Sequence, residues 1–179
     1  MKILGISGSL RRDSYNTALL RNAPLELELW DGLKSIPPYD EDDDVEPAPP
    51  AVAEMRAAVA GADALLIATP EYNASVPGQL KNAIDWLSRP FATSVLRNKP
   101  VAVVGASTGA FGAVWAQAEL RKVLATAGAW VVEGDVAVGH AHERFDANGV
   151  LMDDNLREQL KEVVDALVSE ASLREAVAA

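Results

Sequence analysis

Short apolar segments alternate with amphipathic ones along this chain, and that alternation limits its possible folds more than any other feature. Residues 2–7, 64–69 and 100–106 are nearly continuous apolar runs, which is typical of strands buried on both faces. Residues 129–132 form a shorter run, and residues 25–30 alternate leucine with glutamate, as a half-exposed edge strand does. Buried strands separated by helices indicate an α/β protein with a parallel sheet.

Helices are predicted between these strands, at 15–22, 51–60, 77–88, 111–127 and 153–170. Ser14 is a suitable N-cap for the first helix, and Gly128 ends the fourth. A polar edge strand in second place fits the flavodoxin-like three-layer sandwich, a five-stranded parallel sheet of order 2-1-3-4-5 with helices on both faces. Because the sequence shows neither an internal repeat nor a linker, a single domain over residues 1–179 is expected.

Charge and composition exclude several classes of function. Sixteen Lys and Arg against 26 Asp and Glu give a net charge of −10, which opposes binding to nucleic acid or anionic lipid. The absence of cysteine excludes disulfides, thiolate catalysis and cysteine-ligated iron–sulfur clusters. Only His140 and His142 are available as histidine ligands, so no metal site is predicted. A strand directly after Met1-Lys2, with no secretory leader or membrane-spanning run, predicts a cytoplasmic protein without a membrane partner.

The loop at residues 8–16 has the composition of an anion site. It follows the first strand, contains Ser9, Arg11 and Ser14, and leads into a helix whose first N–H groups are unpaired. It lacks both Gly-x-Gly-x-x-Gly and Gly-x-x-x-x-Gly-Lys, which argues against a dinucleotide or a nucleoside triphosphate at this loop. A terminal monoester phosphate is the better match, and an ordinary capped turn is the alternative.

The loop at residues 69–78 follows the central strand and is framed by Pro70 and Pro77. Tyr72 is placed to lie against a planar ligand, and the backbone of 71–73 to meet the polar edge of a heterocycle. The alternative is a turn shaped by the two prolines, with Tyr72 as a surface aromatic.

The loop at residues 105–112 follows the next buried strand and contains three glycines, which permit close approach of the backbone to a ligand. Ser107 and Thr108 add small donors. In a flavodoxin-like sheet, ligands bind at the carboxyl ends of the strands near the switch between strands 1 and 3. The three loops are all expected at that position, so they predict one shared ligand site.

Three stretches resemble the NADPH-dependent FMN reductase family, which includes quinone and chromate reductases and related short azoreductases. They are Gly8-Ser9-Leu10-Arg11 with Ser14 and Asn16, Thr69-Pro70-Glu71-Tyr72-Asn73 with Ser75-Val76-Pro77-Gly78, and Leu80-Lys81-Asn82-Ala83-Ile84-Asp85-Trp86. The resemblance spans residues 1 to about 167, and 69–86 is its most specific part.

The resemblance implies non-covalent FMN. Its phosphate would be held by the side chains of Ser9, Arg11, Ser14 and Asn16 and the backbone N–H groups of Leu10 and Tyr15. Its isoalloxazine would contact Pro70, Glu71, Tyr72 and Asn73, with Ser107, Thr108 and Gly109 near the other polar edge. The family also implies homodimers or homotetramers with FMN near the subunit interface, and the helices around Trp86 and Trp115 are the predicted contact surface.

Two positions depart from the family pattern. Ala113 follows Gly112 where the family commonly has a second glycine, and the helix that begins near Asn16 is shorter than usual. Neither departure removes a predicted FMN ligand.

The implied reaction passes a hydride from NADPH or NADH to FMN and then to FMN, quinone, azo or chromate-like acceptors. Two substrates that share one site would give ping-pong kinetics. No catalytic residue is assigned; Glu71 is the nearest candidate, and a loop carboxylate is its simpler interpretation. The alternative is a flavodoxin-like electron carrier without NAD(P)H turnover, which Arg11 and 69–86 argue against. A phosphatase-like hydrolase lacks both a cysteine and a convincing base for a serine nucleophile.

Overall fold

Strands and helices alternate along the chain as the sequence predicts. The computed structural model describes residues 1–178. Its strands are β1 (Ile3–Ser7), β2 (Glu28–Trp30), β3 (Ala64–Thr69), β4 (Pro100–Ala106), β5 (Trp130–Val131) and β6 (Ala137–Val138). Its helices are α1 (Tyr15–Arg21), α2 (Pro50–Ala60), α3 (Gly78–Leu87), α4 (Val114–Thr126), α5 (Ala141–Arg144) and α6 (Asp154–Ala178). Three 3₁₀ turns lie at Gly32–Ser35, Glu41–Asp43 and Phe91–Thr93.

The sheet is parallel, with the order β2-β1-β3-β4-β5. Both the order and the flavodoxin-like fold are therefore confirmed. The register pairs Ser7 with Ala68 and Thr69 with Gly105, so β1, β3 and β4 end side by side. These three strands are buried almost throughout, whereas the edge strand β2 is largely exposed.

Two apolar clusters hold helices against the two faces of the sheet. Leu4, Leu65 and Val103 point to the first cluster, which contains buried residues of α2, α3 and α4. The second cluster joins Leu66 and Val104 to buried residues of α1 and α6. Side chains alternate between the faces because the strand period is two residues, and each face needs its own helical layer.

The fifth position of the sheet holds a feature that the sequence did not predict. β5 pairs with the first residues of β4, and the separate strand β6 pairs with Gly105 and Ala106 at its end. Arg121 fills the gap: its guanidinium donates to Val103 O at 3.0 Å and Gly134 O at 2.6 Å, and lies 3.0 Å from a carboxylate oxygen of Asp135. The interrupted ladder therefore has its free carbonyls satisfied by a side chain of α4.

Helix length differs clearly from the expectation only at the C-terminal end of the chain. Helix α1 has seven residues, in agreement with its predicted shortness. Helix α6 begins at Asp154 and continues to Ala178, beyond the predicted end at residue 170. Within the described residues, every helix is too short or too polar to cross a membrane.

Candidate functional site

The three predicted loops meet at one edge of the sheet. Gly8, directly after β1, donates its backbone N–H to Ala68 O of β3 at 2.8 Å. A Cβ on Gly8 would stand 2.7 Å from Leu80 Cδ2 and 3.4 Å from Pro70 Cδ, so glycine allows the first loop to pack against the second. The first and second loops are thus in direct contact.

Asn16 joins the first loop to the third. Its Nδ2 donates to Ala106 O and its Oδ1 accepts from Ala106 N, both at 2.9 Å, and the side chain is buried. The amide therefore spans from α1 to the last residue of β4. One Nδ2–H remains beyond the bond to Ala106, so the predicted phosphate contact of Asn16 is still a prediction, and the observed contact is structural.

The first loop has donors that face no protein partner. The hydroxyl oxygen of Ser14 caps α1 by accepting from the N–H groups of Asn16 and Thr17, which leaves its own O–H free to donate. Leu10 and Tyr15 have no partner for their backbone N–H groups among residues 1–178. Arg11 is exposed, and the loop thus offers the cation and the N–H groups that a phosphate binds.

The second loop contains a two-residue hairpin turn. Tyr72 and Ser75 exchange both backbone hydrogen bonds, at 3.2 and 3.1 Å. Asn73 and Ala74 between them have φ of 54° and 58°, the arrangement of a type I′ turn. Pro70 is buried at the base of the loop, and the Tyr72 side chain is half exposed at its tip.

Two glutamates fasten this hairpin to α4. Glu71 accepts hydrogen bonds from the backbone N–H groups of Trp115 and Ala116 at 3.0 and 3.1 Å, and so caps the N-terminus of α4. Glu119, one turn further along α4, accepts from Ser75 Oγ at 2.6 Å and from Val76 N at 3.3 Å. The structure thus supports the simpler interpretation of Glu71, because its carboxylate is engaged in capping.

The hydrogen bonds from Ser75 and then from Val76 lower the pKa of Glu119 below its ordinary value. A lowered folded-state pKa means that these contacts stabilise the hairpin above the ordinary glutamate range, and that this contribution is lost as pH falls through the lowered value. We expect the protection factors for amide hydrogen exchange at Ser75 and Val76 to fall on acidification below the ordinary glutamate range. In Glu119→Gln this step should be absent; an unchanged step would show that Glu119 does not hold the hairpin.

The third loop is fixed by contacts with the chain around β6 and α5. Ser107 donates its N–H to Val138 O at 3.0 Å, and Gly109 O accepts from His140 N at 2.9 Å. Gly112 and Ala113 both adopt the left-handed region, with φ of 59° and 64°. That conformation favours glycine, which gives a physical reason for the glycine pair common in related sequences.

Gln117 holds the strained turn at Ala113. Its Nε2 donates to Gly112 O at 3.0 Å and its backbone N–H donates to Ala113 O at 2.9 Å. Thr108 and Gly109 remain exposed at the rim, and Ser107 is partly exposed beside them. His140 and His142 are also exposed, near this loop.

Residues 1–143 match the family described as NADPH-dependent FMN reductase. The chain belongs to this family. The predicted family and enzyme class are confirmed: the protein is an oxidoreductase of the FMN reductase type. The family match also supports FMN and NAD(P)H as its cofactor and co-substrate.

Relatives of established name cover nearly the whole chain. An NAD(P)H-dependent FMN reductase of Pseudomonas aeruginosa is 45% identical over 174 residues, which is 93% of each chain. A 2-hydroxy-1,4-benzoquinone reductase of a Burkholderia species is 39% identical over 92% of this chain and 93% of its own. The solved structure of FerB, a flavoenzyme NAD(P)H:(acceptor) oxidoreductase of Paracoccus denitrificans, superposes with a TM-score of 0.81, at 34% identity and with 96% and 97% of the two chains covered.

Sequence reasoning missed some residues that shape this candidate site. Glu119, Gln117 and Arg121 all lie on α4. Glu119 accepts from Ser75 Oγ and Val76 N of the second loop, and Gln117 donates to Gly112 O of the third loop. Arg121 donates to the carbonyls of Val103 in β4 and Gly134 before β6. The sequence does indicate two of them: Gln117 and Arg121 are polar residues one turn apart on the partly buried side of an amphipathic helix. Buried or half-buried polar side chains require partners, and such partners are often nearby loop backbone.

Proposed function

We propose that this chain is one FMN-binding domain in which FMN lies across the three loops and passes electrons from NAD(P)H to quinones and related small acceptors. The observation that carries the proposal is the fixed junction of the loops at the carboxyl ends of β1, β3 and β4, made by the Gly8–Ala68 and Asn16–Ala106 hydrogen bonds. This is the ligand position of a flavodoxin-like sheet.

The donors of the first loop fit a monoester phosphate. The proposed ligands are the side chains of Ser9, Arg11 and Ser14, the backbone N–H groups of Leu10 and Tyr15, and the remaining amide hydrogen of Asn16. Hydroxyl, guanidinium and backbone N–H groups can all donate hydrogen bonds to the oxygens of a phosphate dianion. No carboxylate of the loop is among them, although Asp13 lies on its exposed side.

The second and third loops fit the flat ring. Pro70 would form a buried wall, Tyr72 an aromatic surface, and the backbone of Glu71 and Asn73 would meet polar ring atoms. Ser107, Thr108 and Gly109 would lie at the opposite edge. The two glutamate contacts to α4 and the contacts of Ser107 and Gly109 fix both loops before the ligand binds. Such preorganisation reduces the ordering cost of binding.

Bound FMN would supply the hydride chemistry, and the protein would supply binding and orientation. With Glu71 engaged as a helix cap, we assign no acid or base among the loop residues.

The proposed acceptors include FMN, quinones, azo compounds and chromate-like oxyanions. Because NAD(P)H and the acceptor would occupy the same exposed surface in turn, ping-pong kinetics are expected. We also propose a cytoplasmic location.

The test is a visible spectrum followed by steady-state turnover. The FMN-loaded protein should show a flavin spectrum that NADPH or NADH bleaches without any partner protein, and added benzoquinone should restore it. A colourless protein that does not take up FMN would contradict the proposal. A flavin spectrum without NAD(P)H consumption would instead favour the electron carrier.

A homodimer or homotetramer is proposed from an exposed aromatic surface beside the site. Phe111 and Trp115 are 63% and 50% exposed, stack edge to face at 5.1 Å, and lie next to the Tyr72 hairpin, which is fastened to Trp115. Clustered exposed aromatics are typical of interfaces. The helix around Trp86 stays a predicted contact surface, but the Trp86 side chain cannot take part in it, because it is fully buried and donates to Pro37 O at 2.9 Å.

Light scattering at micromolar concentration should therefore give a dimer or tetramer. Trp115→Glu should shift the protein toward monomer, because it places a charge in the centre of the contact. Val150→Glu, an exposed apolar residue elsewhere, is the matched control and should leave the mass unchanged. A monomeric unmodified protein would overturn the proposal.

A further inference from the structure

A cavity of about 290 Å³ lies at the amino-terminal end of the sheet, where β3 and β4 begin. Its lining comes from the end of α2, the turns that precede β3 and β4, and the last part of α6. Strand β4 has seven residues, and at a rise of about 3.3 Å per residue its two ends are about 20 Å apart. The cavity is therefore separate from the proposed FMN site, which lies at the carboxyl ends of the strands.

Lys99 is a half-buried lysine in the wall of this cavity. Its Nζ donates to Ala62 O, which fixes the position of the amino group. Burial lowers the pKa of the Lys99 ammonium below its ordinary value, and the nearby carboxylate of Asp63 offsets only part of this effect. Near neutral pH, Lys99 therefore has a larger share of the neutral, nucleophilic amine than an exposed lysine has.

Two guanidinium groups line the same cavity. Arg97 is exposed and forms no ion pair within the described part of the chain. The guanidinium carbon of Arg174 lies 4.1 Å from the centre of a Trp130 ring, and its Nε donates to Glu170 at 2.7 Å. These contacts orient Arg174 and leave its Nη hydrogens for a ligand. Guanidinium groups bind phosphate through paired, charge-assisted hydrogen bonds.

The turn that carries Arg97 and Lys99 is fixed by its backbone. Asn98 between them has φ of 58° and donates its N–H to Gly128 O at 2.8 Å. Lys99 donates its own backbone N–H to Leu96 O at 3.0 Å. The cation and the amine are thus held on one turn before any ligand binds.

The carboxylate among the lining residues, Asp63, is already engaged. It accepts from the backbone N–H of Lys2 at 2.6 Å and lies 4.0 Å from the N-terminal amino group of Met1. Three basic side chains therefore face one carboxylate that has other partners. In a chain with a net charge of −10, this local excess of positive charge suits an anionic ligand.

We propose that Lys99 is an acylation site for acyl phosphates, small molecules in which an acyl carbon is joined to a phosphate. Arg97 and Arg174 bind the phosphate, and the neutral amine of Lys99 attacks the acyl carbon. A C–N bond forms and the C–O bond to the phosphate breaks. The phosphate leaves with that electron pair and takes up the proton released from the nitrogen. The step needs neither an oxidant nor a flavin, so the inference does not depend on the proposed function.

The first test compares lysines within the full chain. The protein is incubated with acetyl phosphate near neutral pH, and peptide mass spectrometry gives the acetylation rate of each lysine and of the N-terminal amine. Lys161 is the reference, because its hydrogen bond with Asp165 at 2.6 Å and the charge of that carboxylate raise its pKa. Lys99 should react about tenfold faster than Lys161, and its rate should level off at a lower pH. Equal rates at the two lysines, or faster modification of Lys161, would overturn the proposal.

The second test separates phosphate binding from the reactivity of the amine. Arg97→Ala should slow acetylation of Lys99 by acetyl phosphate about fivefold, because one phosphate contact is lost. With N-hydroxysuccinimidyl acetate, which carries no phosphate, the rate at Lys99 should stay within about twofold. Arg12→Ala removes an exposed charge from the first loop, at the opposite end of the sheet, and should change neither rate. An unchanged rate with acetyl phosphate in Arg97→Ala, or an equal loss with both reagents, would overturn the proposal.

Discussion

Replacing Arg11 with alanine should raise the dissociation constant of FMN by about 10- to 100-fold. A hydrogen bond between a charged donor and a phosphate contributes about 1.5–3 kcal/mol, and each 1.4 kcal/mol corresponds to a factor of about ten. Arg11 is exposed and forms no ion pair among the described residues, so its removal should cost the apoprotein less than about 0.5 kcal/mol of stability. Fluorescence titration of the apoprotein with FMN measures the first quantity, and thermal unfolding measures the second.

Two variants sharpen this measurement. Arg11→Lys keeps the charge and loses the forked donor geometry, so its FMN affinity should fall between those of the unmodified protein and Arg11→Ala. Arg97→Ala makes the same change in net charge near the start of β4, away from the loops, and should leave FMN affinity unchanged. If Arg11→Ala and Arg97→Ala bind FMN equally well, the phosphate is not held by Arg11.

The junction of the three loops was predictable because topology alone determines it. Once 64–69 and 100–106 are buried parallel strands, the residues after them must lie at the same edge of the sheet as the loop after β1. The observed register, with Ser7 beside Ala68 and Thr69 beside Gly105, gives this arrangement. What the sequence could not give was the set of bonds that fix the loops, because Glu71 and Glu119 act on partners 44 residues away.

The split at β5 and β6 was missed for a related reason. A two-residue strand is too short to show a period, and Glu133, Gly134 and Asp135 look like a surface turn. At the interruption between β5 and β6, Arg121 donates to the carbonyls of Val103 and Gly134. Contacts of this kind follow from tertiary structure and leave no local pattern in the sequence.

The burial of Trp86, in contrast, was available in the sequence. Leu80, Ala83 and Leu87 recur at helical spacing, and Trp86 lies three residues after Ala83 on the same side. A tryptophan on that stripe belongs to the core, and the structure places it there with its Nε1–H bonded to Pro37 O. Trp115 on α4 is half exposed, as a contact surface requires, and its part in an oligomer stays a prediction.

Replacing Asn16 with alanine should lower the free energy of unfolding of the apoprotein by about 2–6 kcal/mol. Ala106 is buried, and the change leaves both its N–H and its carbonyl without a partner, at about 1–3 kcal/mol for each group. Chemical denaturation without FMN measures this directly. Asn155→Ala, on the exposed surface of α6, is the matched control and should change stability by less than about 0.5 kcal/mol.

The same variant separates the two roles of Asn16. As a connection between α1 and the end of β4, Asn16 acts in the apoprotein, and its loss weakens FMN binding indirectly because Ser107 follows Ala106. As a phosphate ligand alone, it would leave apoprotein stability unchanged and alter only the FMN dissociation constant. A stable apoprotein with weakened FMN binding would therefore contradict the structural role. A destabilised apoprotein would instead show that Asn16 holds the loops together before FMN binds.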